Sequence, residues 1–218
     1  MYHTVHAGCT NRYTHGVVTM DGSQPRPEAR REKPGDRRAQ LVEAAVDHVA
    51  AHGIADLSLR RLGAAIGASH RMLIHYFGSK EQLLVEIVRA SERRQRELFS
   101  RLRSQPGLPP ADVARLLWRR LTDPGVAGQE RLFFEICGHA LRGRPEAAPV
   151  LEGLVSDWLE PLVAAEIEAG ASPVAARNRA RLGLATVRGL LLDLLATGDR
   201  AGVDSAMEEF LRLYYGAE

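Results

Sequence analysis

From Asp36 onward, apolar residues recur at intervals of three and four, the period of a helix that buries one face. Leu41, Val42, Ala45, Val46 and Val49 form one such stripe, and Gly53 supplies the left-handed position at which a helix stops. Ser58 then reads as an N-cap for a short helix with Leu59, Leu62 and Ile66 as its apolar set, broken by Gly67. Ser69 caps a third helix with Leu73, Tyr76 and Phe77 inward. Gly78 ends that helix, and Ser79, Lys80 and Glu81 open a fourth that runs to about Arg103. Leu83, Leu84, Ile87, Val88 and Leu98 fall on its apolar side, and Arg89, Arg93, Arg94, Arg96, Arg101 and Arg103 crowd the outer face.

A Pro/Gly-rich break, QPGLPP at 105–110, precedes a second series of helical periods. The pattern predicts helices over 111–122, about 129–142, about 146–169, 173–197 and 202–215, with Pro161 kinking or restarting the third of them. No stretch sustains the two-residue alternation of a strand. The expectation is an all-α fold of about nine helices. Residues 1–35 carry no hydrophobic period and turn basic in RPEARREKPGDRR. They read as a disordered arm, too poor in apolar residues to offset its ordering entropy, with Met20 as an alternative start. The predicted organisation is an arm at 1–35, a reading domain at 36–85, a linking helix at 86–104 and a helical bundle at 105–218.

Composition narrows the class. The chain has 218 residues, 45% hydrophobic and 26% charged, enough for a substantial core. No run approaches the length of a membrane span, and no basic-then-apolar start suggests a secretory signal. Cys9 and Cys137 are too few for a disulfide framework, so a reducing cytoplasm is the simpler setting. The formal net charge is +2, but it divides along the chain. Residues 1–105 hold 17 basic and 11 acidic residues, whereas 106–218 hold 12 and 16. That asymmetry suggests a polyanion partner for the first half. A Gly-rich phosphate loop, HExxH, GxSxG and paired-cysteine motifs are all missing, so the expectation is no enzyme and no cofactor. His3, His6, Cys9 and His15 match no closed zinc spacing, and His48 with His52 lacks a further ligand, so no metal is expected.

The segment from Ser58 to Phe77 reads as helix, glycine turn, helix, the pattern of a helix-turn-helix. Leu59, Leu62, Ile66 and Leu73 lock the two helices at a steep angle, and the second presents its outer face. Ser69 and the dipole at that helix start favour a phosphate. HYFGSKEQLL at 75–84 directly follows, and AAHGIADLSLRRLGAAIG precedes. Together they make the segment resemble the TetR family of bacterial transcriptional repressors, over about residues 37–85. The resemblance implies a three-helix DNA-binding domain with its recognition helix on 69–76, joined to a C-terminal ligand-binding and dimerisation bundle. It implies Ser58, Ser69, Tyr76 and Lys80 on phosphates and His70, Arg71 and Met72 on bases or backbone. Arg60 and His75 complete the candidate DNA face. Two departures stand out: Ile74 replaces a common aromatic, and Arg71 stands where a small residue is common. Arg71 is either a guanine reader or a phosphate or solvated charge. The basic arm at 26–38 either follows the groove or adds salt-dependent affinity alone.

The remaining residues need a role of their own. The stretch 181–197 and much of 207–216 are apolar around more than one face, so each is deeply buried or shared with a partner. The resemblance implies a homodimer through the last two helices, with Arg188, Leu191, Leu195, Phe210 and Tyr214 as interface candidates. Arg188 and Asp193 are unusual charges in so apolar a helix, and they either pair across the dimer, the preferred reading, or leave Arg188 to meet an acidic effector. Trp118, Phe133, Phe134, Cys137, His139 and Trp158 are the large or polarisable groups that either pack the core or line an effector pocket. The expected protein is a cytoplasmic bacterial regulator, associated with the nucleoid when on DNA. It binds a palindromic double-stranded operator and leaves it when an unknown, apolar small molecule binds. The alternatives are a helical protein–protein adaptor, or a DNA-binding regulator with no small-molecule ligand.

Overall fold

Ser58, Ser69 and Ser79 each begin a helix in the same way, the Oγ accepting from the backbone N–H three residues on, at Arg61, Met72 and Gln82. The computed structural model describes residues 34–53 and 57–216, and among these every regular element is helical. The reading end comprises α1 (Pro34–His52), α2 (Leu59–Ala65) and α3 (His70–Phe77), and α4 (Lys80–Arg103) runs out of it. The bundle follows with α5 (Pro110–Leu121), α6 (Ala127–Leu141), α7 (Ser156–Glu168), α8 (Pro173–Thr197) and α9 (Arg200–Tyr215). Single 3₁₀ turns lie at Pro124–Val126 and Ala148–Leu151. Of the arm expected at 1–35, residues 1–33 lie outside the described residues, and Pro34 and Gly35 instead open α1.

The apolar stripe of α1 is fully inward: Leu41, Val42, Ala45, Val46 and Val49 are all buried. They meet Leu59 and Leu62 of α2, Leu73 and Phe77 of α3, and Leu83, Leu84, Ile87 and Val88 of α4. Gly63 sets the angle between the two short helices. A Cβ there would lie 2.5 Å from the Ala68 carbonyl oxygen, which itself follows a bond from the Ala68 N–H to the Gly63 carbonyl at 2.8 Å.

The same core continues into the bundle through Leu132, Ile136, Cys137 and Ala140 of α6. The join is close. A Cβ on Gly128 would sit 2.6 Å from Gly53 Cα and 2.7 Å from the Val49 oxygen, and Gln129 Nε2 donates to the buried Val46 carbonyl at 3.2 Å. A second core gathers Trp118, Leu121, Leu191, Val203, Met207 and Leu211, and a third gathers Phe99, Leu102, Val113 and Trp158.

Three details depart from the pattern reading. The stretch 146–169 is not one helix: a 3₁₀ turn is followed by Gly153 at φ +75°, and α7 starts only at Ser156. Pro161 neither ends nor restarts α7, and its carbonyl accepts from Arg103 Nη1 at 3.0 Å. On α4 the buried positions past Val88 are Ala90, Ser91, Glu92, Phe99 and Leu102, with Leu98 only half-buried. The arginines of α4 are not a free basic face. Arg89 bonds Glu152 and the Pro149 carbonyl, Arg93 and Arg94 bond Glu43, Arg94 also bonds Asp47, and Arg96 and Arg103 pair with Asp157 and Glu168.

Candidate DNA interface and interior cavity

Capping and burial together sort the residues of α2 and α3. Leu73 and Phe77 face the core, and the helix period then turns Arg71, Ile74 and His75 outward, where all three are exposed. Arg60, Ser69 and His70 are exposed as well. Met72 and Tyr76 are half-buried and pack against the core, so they sit at the edges of the outer face rather than on its crest. Ile74 is 38% exposed, an apolar side chain on an otherwise polar surface. Tyr76 stacks edge-on against His75, with ring centroids 5.3 Å apart.

One open cleft is lined by Leu57, Ser58, Leu59, Arg60, His70 and Lys80. It brings together residues from three helix starts that are up to 22 positions apart in sequence. The Oγ of Ser58 accepts from the Arg61 N–H at 3.2 Å, which leaves its own O–H to donate outward. A hydroxyl, a guanidinium and an ammonium around one cleft suit a phosphate oxygen. Arg38 is placed differently: it pairs with Glu86 at 3.2 Å and lies over the Phe77 ring.

Inside the bundle lies a cavity of about 540 Å³, of the size that holds a drug-sized molecule. Trp118 on α5, Phe133 on α6 and Trp158 on α7 line it, as the sequence reading allowed. Phe134, Cys137 and His139 do not. One turn past Phe133 that side of α6 is covered by the turn at 148–151, so Cys137 belongs to the core and Phe134 bridges two cores. Burial pushes the Cys137 thiol up to about 11, which leaves it protonated and unreactive.

Of the polar part of the cavity only Arg188 was anticipated, as the alternative to a pairing across the dimer. Glu92 of α4 accepts from Trp158 Nε1 at 2.8 Å and from Arg188 Nη2 at 3.1 Å, both at Oε2. Arg188 also donates to the Leu154 carbonyl at 2.9 Å and lies over the Phe133 ring. Glu130 of α6 accepts at Oε1 from Gln95 Nε2 at 2.9 Å. Burial raises both carboxyls, and the neighbouring Glu92 adds to the rise at Glu130, which reaches about 8. A signal was present in the sequence: Glu92 falls four residues after Val88, and Glu130 three before Phe133, so each sits on the apolar stripe of its helix.

The candidate interface residues of the last two helices lie mostly on the inner side of the bundle. Arg188 turns into the chain's own cavity and does not meet Asp193, whose Oδ1 takes the Thr197 hydroxyl at 3.2 Å. Leu191 is core, packed with Trp118 and Met207. Phe210 and Tyr214 line the cavity, Tyr214 donating to Glu166 at 3.0 Å, and Leu195 is half-buried. The helices are apolar on more than one face, as expected, but Arg188, Leu191, Phe210 and Tyr214 occupy the inner face. The outer one carries Leu182 and Leu192 of α8 and Leu213 of α9, at 59%, 52% and 68% exposure. Near the reading end, His48 and His52 stack 4.4 Å apart, and burial, then the neighbouring His52, lowers the His48 pKa. Among the described residues no group of three or more His, Cys, Asp or Glu gathers as metal ligands.

The sequence model described as "Bacterial regulatory proteins, tetR family" matches residues 41–87, the stretch that builds this surface. The chain thus resembles the TetR family over this stretch. Its similarity to characterised members is concentrated at the reading end. The HTH-type transcriptional repressor AcnR of Corynebacterium glutamicum is 35% identical over 69 residues, 32% of this chain and 37% of the repressor. The HTH-type transcriptional regulator BetI of Stenotrophomonas maltophilia is 32% identical over 81 residues, 37% of this chain and 41% of the regulator. The chain thus covers about two fifths of the length of those relatives. Among solved structures, a TetR-family regulator from a Rhodococcus species has the same fold. It gives a TM-score of 0.61 at 20% identity, covering 81% of this chain and 95% of that one. A structure described as the multidrug binding protein EbrR complexed with imidazole gives a TM-score of 0.53 at 27% identity, covering 90% and 97%. The TetR-family fold therefore extends over the bundle as well, where sequence likeness has thinned.

Proposed function

We propose that the protein is a sequence-specific DNA-binding transcriptional regulator, a repressor that leaves its operator when a small molecule enters the bundle cavity. The observation that carries this reading is the exposed outer face of α3, bearing His70, Arg71 and His75 beside the Ser58–Arg60–Lys80 cleft. In this reading α3 enters the major groove, Arg71 and His70 reach base edges, and Ser58, Ser69, Tyr76 and Lys80 hold phosphates. The role is binding rather than catalysis, and it places the protein with the DNA in the bacterial cytoplasm. Among the described residues no helix is long and apolar enough to cross a membrane.

Leu182, Leu192 and Leu213 on the outer face of α8 and α9 support a homodimer through those helices. A two-fold dimer sets its reading heads about 34–36 Å apart, one turn of DNA, and requires a palindromic operator. Two physical links join cavity and head. α4 carries Glu92 inside the cavity and Lys80 at the cleft, and α6 carries Glu130 one residue from Gln129, which holds α1. A ligand that displaces either carboxylate strains a helix that also positions the head, with a coupling on the order of 1–3 kcal/mol. EbrR, a multidrug binding protein of the same fold, favours reading the cavity as an effector site.

The test is a gel shift against the DNA upstream of the gene itself. A sequence-specific, salt-dependent shift is expected, weakened in Lys80→Ala and Tyr76→Ala with helical content unchanged. No shift on any genomic fragment would instead favour a protein–protein adaptor.

A further inference from the structure

The charges lining the cavity do not balance. Glu92, Glu130, Glu166 and Glu168 face Arg103, Arg179 and Arg188. Each guanidinium already has a carboxylate: Arg188 has Glu92 at 3.1 Å, Arg179 has Glu166 at 3.6 Å and Arg103 has Glu168 at 2.5 Å. Glu130 is left over, 4% exposed, and among the described residues only the neutral Gln95 amide is bonded to its side chain. The other charged groups that reach it electrostatically are Glu92 from α4, Arg120 from α5 and Arg188 from α8, none of them in an ion pair with it. Arg188 has nothing to spare for an anion, being bonded to Glu92 and the Leu154 carbonyl and covered by the Phe133 ring. Beside this lone carboxyl the walls are aromatic: Trp118, Phe133, Trp158 and Phe210. Aromatic faces attract cations as well as apolar surface.

On the reading that this cavity is the effector site, we propose that it takes an organic monocation, its charged centre beside Glu130 and Glu92 and its apolar body against the aromatic walls. A cation supplies the partner that Glu130 lacks, and the raised carboxyl would release its proton as the ligand enters. A neutral ligand would leave the leftover carboxyl protonated, and an anion would have to take Arg188 from Glu92.

Both tryptophans of the chain line the cavity, so their emission reports occupancy directly. The probes are the phenylbutyl trimethylammonium ion, the neutral hydrocarbon with carbon in place of its nitrogen, and phenylpentanoate, each titrated near pH 8. The cation is expected to bind at least about tenfold tighter than its neutral isostere. Glu130→Gln should erase that preference while leaving the affinity for the hydrocarbon unchanged, which also shows that the variant keeps its cavity. Near pH 8, where the Glu130 carboxyl is about half ionised, binding of the cation should release about half a proton in the parent protein and none in the variant. Equal affinity for cation and hydrocarbon, or a preference for phenylpentanoate, overturns the proposal and leaves the cavity as an effector site of another class. If none of the three changes the emission, the cavity is not a ligand site, and both the proposal and the reading beneath it fall.

Discussion

At the reading end the polar side chains of the candidate interface stand outside an apolar core, at Arg60, His70, Arg71 and Lys80, whereas toward the bundle Glu92, Glu130 and Arg188 stand inside one. The two arrangements suit two kinds of partner. A nucleic acid is large and stays hydrated, so cations that meet it can remain in water until contact and lose little by waiting there. A small molecule that is swallowed must find its polar contacts already desolvated, and those groups cost stability while the cavity is empty. The head therefore keeps function and stability apart, and the bundle sets one against the other.

The largest expected consequence of that difference is a pH dependence owned by Glu130. Its carboxyl is raised from 4.5 to about 8 by burial first and by Glu92 second. Folding therefore takes up a proton between those values. This contribution is fully present below about pH 4.5 and is lost as pH rises through about 8. The steepest slope is about 1.4 kcal/mol per pH unit, a few kcal/mol across the window. Glu130→Gln stays neutral throughout and should flatten the slope, leaving the part that the raised Glu92 carboxyl contributes. The measurement is urea unfolding of both proteins from pH 5 to pH 9, with the variant the more stable at the upper end. Parallel profiles would mean that Glu130 is ionised in the native fold and that the contrast between head and bundle is wrong.

The next effect lies at the join between the two regions. Glycine in a helix ordinarily costs about 1 kcal/mol against alanine, so Gly→Ala in open space stabilises. At Gly128 the added methyl would meet Gly53 Cα and the Val49 oxygen, both backbone, and neither can give way without moving α1. Overpacking of this kind costs about 1–3 kcal/mol and outweighs the gain. Gly128→Ala should lower Tm by several degrees at roughly 2–4 °C per kcal/mol. Gly138→Ala on the same helix, whose nearest new neighbour is an arginine tip 3.9 Å away, should leave Tm unchanged or raise it. A loss in both would point to helix α6 itself rather than to the join.

How far each region could be read in advance follows from the range of its interactions. The helix-turn-helix is built from contacts a few residues apart: Ser58 to Arg61, Ser69 to Met72, Gly63 to Ala68. Caps, glycines and short apolar sets were therefore enough to place its helices and its outer face. The cavity is assembled from partners such as Glu92 and Arg188, 96 positions apart, or Gln95 and Glu130, 35 apart. No local period pairs them. Trp118, Phe133 and Trp158 could be named in advance as possible lining groups because large aromatics are rare here, but nothing local told them from Phe134, Cys137 and His139. Arg188 was legible as an odd charge in an apolar helix. Which side of α8 was the inside was not, because both faces of that helix are apolar, and so the interface residues were assigned to the inner one.

The smallest expected effect decides what the basic half of the chain is for. Residues 1–105 carry the positive excess, and α4 alone contributes Arg89, Arg93, Arg94, Arg96, Arg101 and Arg103. If charge count governed DNA affinity, removing any of these would matter about as much as removing Lys80. The structure pairs Arg93 with Glu43 at 3.0 Å, both partners well exposed, and an ion pair of that kind is worth about 0.2–1 kcal/mol. Arg93→Ala should therefore shift stability by less than about 1 kcal/mol and leave the dependence of DNA affinity on log salt unchanged. Lys80→Ala should reduce that slope by about 1. An equal reduction in the two variants would show that the long-range field of the whole head attracts DNA, and that the cleft at Ser58 and Lys80 has no special hold on a phosphate. A change in Lys80→Ala alone would mean that α4's arginines serve to fasten the head to the bundle, and that only the few cations around α3 answer to the operator.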